Sequence, residues 1–244
     1  MKNLIKYEIK GYWKETIGLI MVVIVANLFL LTKVGTWPRP VVTGFCTILT
    51  VATMVVAFIW NIKNFSKDLN ENTSYLIYAL PVSSNSLLTS KLISSLIQYF
   101  AVAITNLIFL YHNVLKLDIK VNEAISNLNI NFILFSIFYY IVGYLGILCT
   151  IYFSIALSKA AIKKKMKIAK LGPWIVFILI SIVMVKISDA LLEIFPQAIY
   201  ISTMNIPGVN LNSNINIAQF IFDICIVAIF FTATSYILRR KLDV

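Results

Sequence analysis

VVTGFCTILTVATMVVAFIW, residues 41–60, and LISSLIQYFAVAITNLIFLYH, residues 92–112, decide the fold class. Neither contains Lys, Arg, Asp or Glu, and each can carry a helix across a hydrocarbon core, which takes roughly 17–25 apolar residues. Both runs are continuously apolar, without the alternation of a lipid-facing strand, so helices are expected rather than a barrel. Working outward, runs of the same character recur at 16–32, 131–157, 171–191 and 215–237. The expected fold class is therefore an all-α integral membrane protein, a single transmembrane domain over residues 1–244 with six transmembrane helices.

The composition agrees. Of 244 residues 60% are hydrophobic, with 21 Lys+Arg against 10 Asp+Glu and a formal net charge of +11. A soluble domain of this length needs far more polar surface. A basic chain raises nucleic-acid binding as an alternative, but here the basic residues flank apolar runs instead of gathering on one polar domain, and no nucleic-acid partner is expected. Cys46, Cys149 and Cys225 all fall within apolar runs and form no CxxC pair, so they read as small buried residues. One histidine, His112, leaves no His-rich metal cluster of the kind a zinc protease needs. MKNLIKYEIKGYWKE is too long and polar for the n-region of a cleavable signal peptide, and no small-residue cleavage site follows the first apolar run.

Orientation follows from the basic residues between the runs. With the N-terminus inside, sixteen lie on the inner side, in the clusters Lys2–Lys14, Lys63–Lys91, Lys159–Lys170 and Arg239–Lys241. Only Lys33, Arg39, Lys116 and Lys120 lie on the outer side, so both termini are expected in the cytoplasm. Trp13, Trp37, Trp60 and Trp174 fall at or near run boundaries, where an indole ring can keep its N–H among the headgroups.

Two polar segments have structure of their own. In residues 1–15, Leu4, Ile5, Ile9, Tyr12 and Trp13 recur at helical spacing between Lys2, Lys6, Lys10 and Lys14, the pattern of a helix lying in the cytoplasmic interface. A frayed basic tail is the alternative. The outer stretch EIFPQAIYISTMNIPGVNLNSN, residues 193–214, holds no Lys or Arg and is punctuated by Pro196 and Pro207. It reads as a short helix, a re-entrant hairpin or an ordinary packed loop.

Between the two deciding runs lies SKDLNENTSYLIYALPVSSNSLLTSKL, residues 66–92. Ser66 or Asp68 can cap a helix whose first turn carries Asp68 and Glu71. Leu69, Thr73, Leu76 and Leu80 form one helical stripe, while Glu71, Tyr75 and Tyr78 line a different face. Pro81 disfavours helical geometry at Leu80 and ends the helix. The reading is a short cytoplasmic helix over 66–82, leucines toward the bundle, tyrosines and carboxylates outward.

This order of parts resembles the membrane subunit of an ABC transporter of the type-2 export permease family. The resemblance spans the chain as topology and is concentrated in Asp68, Leu76, Leu80-Pro81-Val82, Ser90 and Lys91; Asn72-Thr73-Ser74 stands where that family often has glycine. It implies an N-terminal elbow helix over 1–15 and a coupling helix over 66–82. On that helix Asp68, Glu71, Tyr75, Tyr78, Leu80 and Pro81 would meet a separate ATPase subunit, and Leu69 and Leu76 would face the bundle. It further implies two copies of the permease with two copies of the ATPase in a bacterial cell membrane. Such small permeases often export, or protect against, antimicrobial or cytolytic peptides; drugs and lipids are the other amphipathic cargoes. The chain contains no GxxxxGK[ST], so ATP and magnesium would sit on the partner, and no catalytic residue or cofactor is expected here.

Lys186 and Asp223 lie inside the apolar runs, roughly 8–12 Å from their outer ends at 1.5 Å per residue. A charge in lipid costs at least a few kcal/mol (~2.5–3.5 at a helix centre). They therefore read as an ion pair (Lys186 with Asp223 or Asp189), as a polar pathway, or for Lys186 as a side chain snorkelling outward. Other functions are less well served. An intramembrane enzyme lacks GxSxG, HExxH and a carboxylate pair within one run. An ion-coupled secondary transporter needs broken helices, for which the fourth run, with Gly143 and Gly146, is the one candidate. A non-transporting membrane accessory or immunity protein is the remaining alternative.

Overall fold

The computed structural model describes residues 2–70, 83–113, 129–161, 171–202 and 212–241. They form six helices: α1 (Lys2–Lys33), α2 (Arg39–Asn70), α3 (Ser84–Asn113), α4 (Ile130–Ala161), α5 (Gly172–Ile194) and α6 (Ile217–Lys241). A two-stranded antiparallel hairpin, β1 (Ala198–Ser202) and β2 (Asn212–Asn216), stands between α5 and α6. All six helices are long and apolar enough to cross a membrane. Side chains such as Met21, Val25, Ile48, Leu107, Leu179 and Ile229 are exposed along them. So broad an apolar surface belongs in lipid, and the protein is a multi-pass membrane protein.

The residues fall into two compact units. The first combines residues 1–63 with 90–127 and the second residues 64–89 with 128–244.

In the first unit, the buried residues of α1 are Tyr12, Thr16, Leu19, Val23, Asn27 and Leu30, one stripe at helical spacing. The stripe begins where the helix is interrupted, at Tyr12 (φ −120°, ψ 18°). Before that point Leu4, Ile5, Glu8 and Ile9 are half-buried while Lys2, Lys6 and Lys10 are exposed, so the segment is amphipathic. Leu19, Ala57 and Val102 form one apolar cluster joining α1, α2 and α3, and Leu30, Val42 and Cys46 form another. The link from α1 to α2 is tight. Gly35 adopts φ 93°, open to glycine without steric cost, and the N–H groups of Thr36 and Trp37 donate to the Lys33 carbonyl at 3.1 and 3.0 Å. Pro40 then occupies the first turn of α2, where its missing N–H has no intrahelical role.

In the second unit α4 packs against α5 and α6. Phe135, Phe138 and Tyr139 of α4 meet Phe220 of α6, and Phe153 meets Phe230, so the two helices run parallel. Between these contacts a Cβ on Gly146 would stand 3.8 Å from Val227 Cγ2.

One expectation is corrected, and one is decided among its alternatives. Ser66 and Asp68 do not cap a new helix: they lie in the last turns of α2, which continues to Asn70. NIKNFSKDLN (61–70) contains no Pro or Gly to stop the helix, and Asn61, Phe65 and Leu69 prolong its buried stripe at i, i+4, i+8. The described part of the outer stretch, read as a short helix, a re-entrant hairpin or a packed loop, is β-paired in the register Ala198↔Asn216 to Ser202↔Asn212. Pro196 closes α5 just beyond its C-cap, and the β-branched Ile199, Ile201 and Ile215 favour the extended form. The described residues are thus helical with one small hairpin.

Candidate functional site

The residues that the sequence marks for partner contact divide between described and undescribed positions. Asp68 is half-buried near the end of α2, and Leu69 beside it is 1% exposed. Glu71, Tyr75, Leu76, Tyr78, Leu80 and Pro81 lie outside the described residues. On the far side of that gap, Ser83 opens α3. Its hydroxyl accepts from the Ser86 N–H at 3.3 Å and its carbonyl accepts from the Leu87 N–H at 3.1 Å, an N-terminal cap of the usual serine type. Asn85, in the first turn, hydrogen-bonds the Ser235 hydroxyl of α6 through its side chain.

Lys91 is where the sequence motif acquires a structural partner. Its ammonium donates to Glu8 Oε1 at 2.9 Å, with the two side chains 6% and 19% exposed. The amphipathic start of α1 is thereby bound to the first turns of α3. Sequence reasoning singled out Lys91 but not Glu8. The available signal was one acidic residue set among Lys2, Lys6 and Lys10, on the half-buried side of the segment.

From Lys91 a buried stripe continues along α3 through Ser95, Gln98, Val102 and Asn106. Much of it is polar, a costly choice within a membrane bundle. The Ser95 hydroxyl donates to the Lys91 carbonyl at 2.7 Å, satisfying itself within its own helix. Asn106 Nδ2 donates to the Val102 carbonyl at 2.9 Å and to Thr53 Oγ1 of α2 at 3.1 Å. The Thr53 hydroxyl in turn donates to the Leu49 carbonyl at 2.9 Å. Gln98 differs: it is 3% exposed and neither amide atom has a hydrogen-bond partner among the described residues. An unpaired buried amide is rare because it forfeits its hydration without replacement. The first unit therefore carries a polar line inside an apolar helix packing, anchored at one end by the Glu8–Lys91 ion pair.

Lys186 and Asp223 are not brought together as an ion pair. Lys186 is exposed on α5, Asp223 is half-buried on α6, and neither forms a salt bridge among the described residues. No group of His, Cys, Asp and Glu able to hold a metal occurs among the described residues. Helix α4 runs unbroken through Gly143 and Gly146, so the interruption that ion-coupled transport would use is not formed there.

Comparison with protein-family models, with curated proteins and with solved structures finds no match to this chain.

Proposed function

We propose that the chain is the permease subunit of an ATP-driven exporter of the ABC type, working with a separate ATPase. The observation that carries this reading is the Glu8–Lys91 pair. It binds an amphipathic N-terminal segment, set off from its span by the break at Tyr12, to the start of the helix that follows the Leu80-Pro81-Val82 motif. An elbow helix braced against a coupling segment is the arrangement that a permease of this kind needs if a soluble motor is to move its spans. The topology argued from basic residues puts both termini, the elbow and residues 66–92 on the cytoplasmic side of a bacterial cell membrane.

In this mechanism residues 71–82 meet the ATPase through Tyr75 and Tyr78, with Glu71 near a basic group there. The end of α2 and the start of α3 carry the resulting displacement into the membrane. Two permease copies and two ATPase copies make up the transporter, since closed two-fold symmetry is the commonest arrangement of identical subunits. The cargo is amphipathic, with an antimicrobial or cytolytic peptide as the best fit to the resemblance. ATP and magnesium belong to the partner.

The test compares Tyr75→Ala/Tyr78→Ala with the parent at matched membrane levels, using ATPase pull-down and cargo-stimulated hydrolysis. A central interface tyrosine is worth about 2 kcal/mol. The double variant should insert normally yet lose most stimulated turnover. If it binds and stimulates the ATPase as the parent does, the coupling role is wrong. A secondary transporter would show transport driven by an ion gradient without any ATPase, and the unbroken α4 argues against it.

A further inference from the structure

Three helices of the first unit each bring a buried polar side chain to one level. The Thr53–Asn106 bond and the cluster of Leu19, Ala57 and Val102 fix the pairing of α2 with α3. Thr53 lies beside Asn106 and Ala57 beside Val102, so the two helices are antiparallel and Asn61 comes level with Gln98. Along α1, the Glu8–Lys91 pair and the packing of Leu19 with Val102 keep the same offset in numbering. Helix α1 therefore runs parallel to α3, and Thr16 comes to nearly the level of Gln98. Thr16, Asn61 and Gln98 are all buried. One turn along lies the wholly apolar level of Leu19, Ala57 and Val102.

The shorter polar side chains of this packing satisfy themselves. Thr16 donates to the Tyr12 carbonyl at 3.1 Å, Asn27 to the Val23 carbonyl at 2.9 Å and Ser95 to the Lys91 carbonyl at 2.7 Å. Each is short enough to turn back on its own helix. Gln98 is longer, and neither its Oε1 nor its Nε2 has a partner among the described residues. Both atoms are also shut off from solvent. An amide stripped of water with nothing in exchange penalises the packing that buries it. Any arrangement that returns water to Gln98 is relieved of that penalty.

We propose that α3 opens from α1 and α2 at the level of Gln98, admitting water to the amide, and that Gln98 sets how often it does so. The opening is local. The cluster of Leu30, Val42 and Cys46, about three turns further along α1, stays closed while it happens. Only residues of the first unit take part, so the opening does not depend on the exporter reading.

The test follows two thiols in the full chain in nanodiscs. Val102→Cys places one a single turn from Gln98, at a position 0% exposed, and the buried native Cys46 is the reference. Cys149→Ala and Cys225→Ala remove the others. The reagent is a trimethylammonium methanethiosulfonate, whose fixed charge keeps it in water, and mass spectrometry follows each thiol separately. The thiol at 102 should react measurably in the parent. Gln98→Met, similar in length but without the amide, should slow that reaction at least tenfold, leave Cys46 unchanged and raise the thermal midpoint. Gln98→Leu should act in the same way, and circular dichroism and gel filtration confirm that each variant is folded. No reaction at 102 in the parent overturns the proposal. So does an unchanged rate there in folded Gln98→Met, equal slowing of both thiols, or a lowered midpoint.

Discussion

Glu8 and Lys91 meet at 2.9 Å although 83 positions separate them in the chain. Neither charge stands fully in water. Removing one partner from a buried pair costs about 3–5 kcal/mol, whereas replacing both can be nearly neutral. Glu8→Gln and Lys91→Met should each lower the thermal midpoint in detergent, toward the lower end of that range because Glu8 is 19% exposed at its side chain. Glu8→Leu/Lys91→Met should be less destabilised than either single change. Additive losses would show that the two side chains act independently.

The Asn106–Thr53 contact at 3.1 Å joins α3 to α2 through side chains. Interhelical hydrogen bonds in membrane proteins average about 0.6 kcal/mol in double-mutant cycles. A cycle of Asn106→Ala and Thr53→Ala, read by unfolding in a mixed-micelle titration, should give a coupling between ~0.5 and ~1.7 kcal/mol. A coupling near zero would mean the bond contributes nothing beyond its two separate intrahelical bonds.

Gly146 is the close approach of α4 to α6. A Cβ placed there would lie 3.8 Å from Val227 Cγ2, an ordinary van der Waals separation. Gly146→Ala should therefore be tolerated and gain slightly from helix propensity, by ~1 kcal/mol at most. Gly146→Leu should force the helices apart, lowering the thermal midpoint by several degrees, equivalent to about 1–3 kcal/mol. Equal behaviour of the two variants would place the α4–α6 contact elsewhere.

Orientation is open to direct labelling. In a background with Cys46, Cys149 and Cys225 replaced, single cysteines at Asn129 and Asn214 should react with a membrane-impermeant maleimide on intact cells. Cysteines at Lys67 and Ser83, both exposed, should react only after permeabilisation. The reverse pattern at either pair would overturn the argument from basic residues.

The six helices were legible because each apolar run is long, uncharged or nearly so, and bounded by basic or turn-forming residues, signals that depend on local sequence alone. The end of α2 was not. The sequence reads as a break followed by a new helix capped at Ser66 or Asp68, yet Asn61, Phe65 and Leu69 keep α2 going because they pack, and packing is a tertiary fact. The hairpin was one of three readings of 193–214. Choosing it required knowing that Ala198 and Asn216 would stand opposite each other. At the candidate site, Lys91 was readable from its motif and Glu8 was not, since an isolated acid in a basic segment names no partner. Asp223 was visible as a charge in an apolar run. The packing of Phe135, Phe138 and Tyr139 on Phe220 depends on α4 and α6 running parallel, which no local pattern encodes.

That parallel pairing also has a consequence for biogenesis. Two neighbouring spans with the same direction cannot be consecutive, so α4 must enter the bilayer and wait through the insertion of α5 before α6 exists to meet it. Meanwhile Tyr139, Gly146 and Phe153 face lipid or a chaperoning protein, because α5 buries almost none of its own length. The second unit therefore closes late, as the ribosome delivers residues 217–241. A stall or premature stop before Phe230 would leave a stable-looking chain with an unsealed seam, and quality-control proteases would recognise it by that seam.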